Sequence, residues 1–255
     1  SLYITGNEAT IKNSNFTRTK STQAGGAMYI LGNKTQVENS DFTFSVTGGD
    51  GGAVYVGGVG TQISSSTFSF TNATHGGAIY INGNDTCIES NFDHTFARNN
   101  GANPGAGGAI FITGDNNRLC NSNFTITMAI TGCGGAIYAG GINTTIYNIH
   151  SDIAQAIGGA PGMGNGGAIY ISGNSSKVLH STFKHYNATL NAGGLYVEGN
   201  NVNISHSRFE YGEALFGAGV YIKGHDTCME WSNLTYNHAH ANGGVIYIEG
   251  NHSTI

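Results

Sequence analysis

One string constrains this chain more than any other. GGAIYINGN, beginning at Gly76, returns as GGAMYILGN at Gly25, GGAVYVGG at Gly51, GGAIFITG at Gly107, GGAIYAGG at Gly134 and GGAIYISGN at Gly166. Altered copies follow at Gly193 (GGLYVEGN), Gly217 (GAGVYIKG) and Gly243 (GGVIYIEGN). The aromatic of each copy serves as an anchor: Tyr3, Tyr29, Tyr55, Tyr80, Phe111, Tyr138, Tyr170, Tyr196, Tyr221 and Tyr247. Successive anchors lie 26, 26, 25, 31, 27, 32, 26, 25 and 26 residues apart.

Aliphatic residues flank most anchors, as in Met28/Ile30, Val54/Val56, Ile79/Ile81 and Ile169/Ile171. Side chains two apart on a strand share a face, so each pair points one way and the aromatic the other. Eight residues after each anchor comes another apolar side chain, such as Val37, Ile63, Ile88, Leu119 and Val178. Thirteen after it comes Phe or Leu, as in Phe16, Phe42, Phe68, Phe124, Phe183, Phe209 and Leu234. Phe92 arrives one residue early, and the sixth copy breaks the pattern with Ser151 and Ile153.

The pattern predicts three short strands per repeat, separated by Gly, Asn, Asp and Ser turn signals. One such unit cannot bury its own apolar face; stacking like on like closes a continuous core. The expected fold is therefore all-β: a parallel β-helix, right-handed by the crossover preference, of about ten rungs in a single domain over residues 1–255. At about 4.8 Å per rung it would be about 48 Å long. The Gly-Gly pair is expected to make the tight corner before the anchor strand, through positive φ or close backbone approach. Asn after the strand is expected to turn the next corner in the left-handed conformation and to ladder between rungs.

At these residues the chain resembles a known group. GGAIYI followed by an IxNSxF segment is similar to the repeats of chlamydial polymorphic outer membrane proteins and of methanogen adhesin-like surface proteins. The resemblance covers the whole chain, although the FxxN element of the chlamydial type has few matches, FARN at Phe96 among them. It implies a cell-surface β-helix used for adhesion or scaffolding, without catalysis.

Composition excludes several classes. Glycine is 41 of 255 residues without a triplet period, which excludes collagen. Ten Lys+Arg and a net charge of −5 leave no basic surface for nucleic acid. No apolar run reaches the ~18 residues of a membrane span. The chain starts and stops in mid-pattern without a visible cap, so either continuation in a longer protein or end-to-end stacking of copies is expected.

Four features could carry chemistry. The anchor aromatics form one outward column, read as a self-stacking ladder, a lateral contact face or a sugar-binding platform. Eleven N-x-S/T sequons occur, at Asn15, Asn33, Asn72, Asn84, Asn123, Asn143, Asn174, Asn187, Asn203, Asn233 and Asn251. Asn33, Asn84, Asn174 and Asn251 share a corner where the repeat itself wants Asn and Thr. Asn15, Asn123 and Asn233 form a second column and Asn72 and Asn187 a third, all expected to be exposed and N-glycosylated. Glycans would keep a nearly uncharged solenoid soluble and imply an extracellular, cell-surface location.

Cys87 and Cys228 are equivalent but five rungs apart, too far for a bridge; Cys120 and Cys133 have no evident neighbour, so free or intermolecular thiols are expected. His180 and His206 are vertical neighbours in a polar corner column, with no carboxylate column to complete a metal site. Glu198, Lys223 and Glu249 succeed one another in one column and should pair across rungs. Two insertions, NNGANPGA from Asn99 and IGGAPGMGN from Ile157, lengthen the same corner and hold both prolines, Pro104 and Pro161.

The acids otherwise scatter, so no catalytic, cofactor or metal site is expected. The reading is a non-enzymatic subunit of a glycosylated surface fibre or adhesin stalk, with copies of itself end to end, covalently attached glycans and host or environmental polysaccharide as the expected partners. The alternatives are a polysaccharide-binding module using the Tyr column, or a polysaccharide lyase or hydrolase on the same fold.

Overall fold

The computed structural model describes residues 1–99, 105–159 and 161–255. They form an all-β parallel solenoid. The ten anchor strands, from Leu2–Ile4 and Met28–Ile30 to Val220–Ile222 and Ile246–Ile248, make one parallel sheet in chain order, so nine turns separate the first from the last. Anchor faces anchor throughout: Tyr3 pairs with Tyr29, Tyr80 with Phe111, Tyr138 with Tyr170 and Tyr221 with Tyr247.

In the outer turns three further strands follow the anchor strand, not two. In the first turn they are Thr10–Lys12, Asn15–Thr17 and Lys20–Ser21. In the middle turns they fuse into bent runs such as Gln62–Ala73, Cys87–Arg98, Arg118–Ile130 and Thr145–Ile157. The expected three strands per turn become four because an extra bend intervenes. Left-handed residues recur five, ten and fifteen positions after the anchor. In the second turn these are Lys34 (φ 53°), Asn39 (φ 50°) and Phe44 (φ 56°).

The lumen is built as the alternation requires. Ile30, Val37, Phe42, Val54, Ile63 and Phe68 are buried while Tyr29 and Tyr55 are half exposed. The lumenal phenylalanines stack rung on rung, Phe42 on Phe68 at 4.7 Å and Phe68 on Phe92 at 5.0 Å between centroids. Phe92 keeps this register although it comes early. Ser64 pairs with Glu89 and Ser66 with Ser90, so the fourth turn simply lacks the left-handed residue that Ser65 supplies below it.

The sixth turn exchanges two lumenal positions. Elsewhere a buried Ser precedes the Phe by two residues, as in Ser40/Phe42 and Ser122/Phe124. Its Oγ accepts the next ladder hydrogen bond beyond the bend, as from Ser40 N–H to Ser66 Oγ at 3.1 Å. In the sixth turn Ile149 stands in the Ser column and Ser151 between Phe124 and Phe183. Both are buried, so the apolar volume is restored one position along rather than lost.

The two glycines of each pair do different work. The first has φ between 53° and 69° in Gly25, Gly51, Gly76, Gly107, Gly134, Gly166, Gly217 and Gly243, a region costly for other L-residues. The second meets the next rung: a Cβ on Gly77 would lie 2.1 Å from the carbonyl oxygen of Gly108, and one on Gly135 1.9 Å from that of Gly167. The following corner corrects the expectation for Asn in part. In some turns the left-handed residue is the one after it, Lys34, Asp85 or Ser175; in others it is Asn as expected, at Asn116, Asn143 and Asn201. In the former turns the Asn side chain ladders. Asn33 Oδ1 accepts the N–H of Val59 at 2.9 Å, and Asn84 Oδ1 that of Asp115 at 2.8 Å.

Candidate functional site

The anchor aromatics point outward and stack along the whole solenoid. Adjacent rings lie 4.4–5.4 Å apart and within 22° of parallel. Each inner ring therefore has both faces covered by its neighbours and presents only its edge and hydroxyl. Acids and hydroxyls gather there. Tyr170 donates to Glu198, Tyr221 donates to Glu249 Oε1 at 2.5 Å, and Ser172 Oγ donates to Tyr138 Oη at 3.2 Å. Lys223 Nζ lies 2.8 Å from Glu198 Oε1, the expected cross-rung pair. Burial pushes the Tyr55 and Tyr196 phenols up to about 12. Tyr170 and Tyr221 are raised by burial and then by their carboxylate partners. Burial alone would raise Glu198, but its bonds to Lys223 and Tyr170 draw it below the usual carboxylate range.

The sequons fall into distinct environments. Asn33, Asn84 and Asn174 are exposed, but their Oδ1 atoms belong to the corner ladder, and Thr35, Thr86 and Ser176 are buried beneath them. Thr35 Oγ1 donates to Gly32 O at 3.1 Å, closing the turn. At these positions the repeat geometry by itself accounts for the motif. Asn251 is exposed at the equivalent place. Asn15, Asn123 and Asn233 are exposed on an outward strand face, as expected, and so are Asn143 and Asn203 elsewhere. Asn72 and Asn187 are only half exposed, because their strand turns back toward the Gly corner; Asn187 Nδ2 donates to Glu213 Oε2 at 3.3 Å.

Cys120 has a neighbour after all. Its Sγ lies 4.0 Å from that of Cys87 on the preceding rung, a contact hidden in the sequence by the insertion between them. All four thiols are free, and burial followed by the Cys87 thiol pushes Cys120 up to about 11. His180 and His206 do stack, 4.8 Å apart and 21° from parallel. No group of three or more His, Cys, Asp or Glu side chains suited to a metal occurs among the described residues.

Pro104, within the first insertion, lies outside the described residues. Ala106 at its end and Met163 in the second insertion line one recess of about 250 Å³ with Phe111, Tyr138 and Tyr170. Both insertions therefore reach the edge of the tyrosine column on one side.

The most developed surface feature is one that the anchor positions did not reveal. Between the left-handed columns ten and fifteen after the anchor runs an outward strand face. One wall carries Asn39, Ser65, Asn121, Asn148, His180, His206 and Trp231; the other carries Phe44, Phe70, His94, Ile126, Ile153, His185, Tyr211 and Tyr236. Several wall residues stack, Phe44 on Phe70 at 5.0 Å, His185 on Tyr211 at 5.1 Å and Tyr211 on Tyr236 at 4.9 Å. Ile126 and Ile153 hold φ values of 53° and 59°, which β-branched residues rarely adopt. Along most of the solenoid the floor is neutral or acidic, with pairs such as Thr67/Ser69 and Asn123/Thr125. In turns six to eight it becomes charged, with His150/Asp152, Thr182/Lys184, then Arg208/Glu210, before Asn233/Thr235 restores a neutral pair. There a recess of about 530 Å³ opens, from Asn123 to Arg208. The signal was present as basic residues twelve and fourteen after the anchor in consecutive copies.

Comparison with known proteins returns no relative: no family model, curated protein or solved structure matches this chain.

Proposed function

We propose that the chain is a segment of an extracellular, N-glycosylated, non-enzymatic fibre or adhesin stalk. The observation that carries this reading is axial continuity. Leu2-Tyr3-Ile4 and Ile246-Tyr247-Ile248 carry the same aliphatic–aromatic–aliphatic triplet, and eight in-register strands connect them. Further rungs of the same chain, or a second copy stacked end to end, would extend every column without changing it. The exposed Asn15, Asn123 and Asn233 would carry glycans along one flank.

The stacked tyrosines support a structural use over sugar binding, since a sugar ring needs an open aromatic face and the inner rings have none. Electron microscopy of the native material is expected to show rods one solenoid wide, and mass spectrometry to show sugars on the exposed sequons. Compact particles with bare asparagines would overturn the proposal. Reducing-end release from a glycan panel would replace it with an enzyme.

A further inference from the structure

We propose that the recess formed by His150, Lys184 and Arg208 binds an anionic linear polysaccharide through its carboxylate or sulfate groups. The inference goes beyond the stalk reading and stands whether or not the solenoid forms a fibre.

Charge is scarce on this chain, with only ten Lys+Arg in 255 residues. Two of them line this one recess. The other recesses, near Trp231, near Tyr3, beside Met163 and Tyr138, and at Pro161, hold no lysine or arginine.

The polar groups here are also available. Arg208 is exposed, and among the described residues its guanidinium has no ion-pair or hydrogen-bond partner. Its planar fork is suited to a carboxylate or sulfate. His150 is likewise exposed on the same column two rungs away, with Thr182 between them. Lys184 stands beside Thr182, 3.4 Å from Glu210 but half exposed, so it can reach a second anion. The one acid in the recess, Asp152, is engaged by His185 at 2.7 Å.

Arrangement decides the shape of the ligand. Rungs succeed one another at about 4.8 Å, so the three groups from turns six to eight lie along the solenoid axis over roughly 10 Å. A ligand that uses all of them must be extended and carry repeated acidic groups. The left-handed columns confine it to that direction, with His180 and His206 on one side and Ile153, His185 and Tyr211 on the other. The net charge of −5 disfavours general adhesion of polyanions, so capture has to be local. Asn123 sits at the end of the recess, and a glycan there would occupy part of it.

The test is titration of the purified chain, and of an Asn123→Gln variant, with polygalacturonate, dextran sulfate and neutral dextran at low and moderate salt. Binding of either acidic polymer, weakened by salt, with no binding of neutral dextran, is expected; comparison of the two assigns carboxylate or sulfate. Arg208→Ala and Lys184→Ala should each weaken it roughly ten- to hundredfold, as loss of a charge-assisted contact does. Lys177→Ala, exposed on another column of the same turn, should leave it unchanged. Circular dichroism confirms folding of each variant. Failure of both acidic polymers to bind either chain, equal binding of neutral dextran, or indifference to Arg208→Ala and Lys184→Ala would overturn the proposal. So would stronger binding of single-stranded DNA than of either glycan.

Discussion

Tyr186 Oη donates to Asn237 Oδ1 at 2.5 Å, across two turns of the solenoid and 51 residues of sequence. The ring occupies a lumenal column that holds Thr71, Thr95 and Thr127 in earlier turns. It fits because the turn between is Gly212, where a Cβ would lie 1.8 Å from Tyr186 Cε2. Asn237 Oδ1 also accepts the Gly212 N–H at 3.0 Å, and its Nδ2 donates to Phe209 O at 2.9 Å. Three turns are thereby tied by one half-buried side-chain amide.

Tyr186→Phe should cost about 1–2 kcal/mol, because Asn237 keeps its other partners. Gly212→Ala should cost about 1–3 kcal/mol through overpacking against the ring. Urea unfolding measures both; no loss on Gly212→Ala would show that the ring does not fill that space.

Glycines at different corners should respond differently to alanine. Gly77→Ala places a methyl against a backbone carbonyl that cannot move alone, and the expected loss is about 3 kcal/mol or more. Gly60→Ala, at φ 72° with 3.6 Å to its nearest neighbour, should cost only about 1 kcal/mol of backbone strain. The reverse change is available at Ala192, which holds φ 54° where the other copies have glycine. Ala192→Gly should be neutral to stabilising by up to about 1 kcal/mol. Thermal melts compare the set.

Thr71, Thr95 and Thr127 are buried in consecutive turns, and their hydroxyls have no hydrogen-bond partner. Thr95→Val keeps the shape and removes an unpaired polar group. It should raise stability by about 1 kcal/mol, within the ~1–3 kcal/mol that an unsatisfied buried group costs. A fall in the urea midpoint would mean that the hydroxyl is paired in solution.

Alkaline pH should loosen the fold. Cys120 is raised from 9.0 to about 11, and Tyr55 and Tyr196 from 10.0 to about 12. The folded chain keeps these protons where the unfolded chain releases them. Their contribution is therefore complete below about pH 9 and disappears as pH rises to about 12. Denaturant midpoints across that range, with tyrosinate absorbance recorded in parallel, should fall together; a flat profile would contradict the burial of these groups.

The solenoid itself was legible from the chain alone. Alternation around the anchor says which side chains enter the lumen, and glycine at a fixed offset says where the corner lies. These are local requirements, repeated until chance is excluded. The fourth strand was not legible, because a left-handed Phe44 or Ile126 in mid-strand violates the ordinary preferences from which strands are read. Nor were the contacts that make individual turns different. Cys87 beside Cys120 and Tyr186 reaching Asn237 both depend on which residues become vertical neighbours. That is decided only after every insertion and deletion between them has been absorbed by a loop or a missing bend. The repeat needs only neighbours in sequence, whereas the surface is made by neighbours in space, some 25 to 51 residues apart.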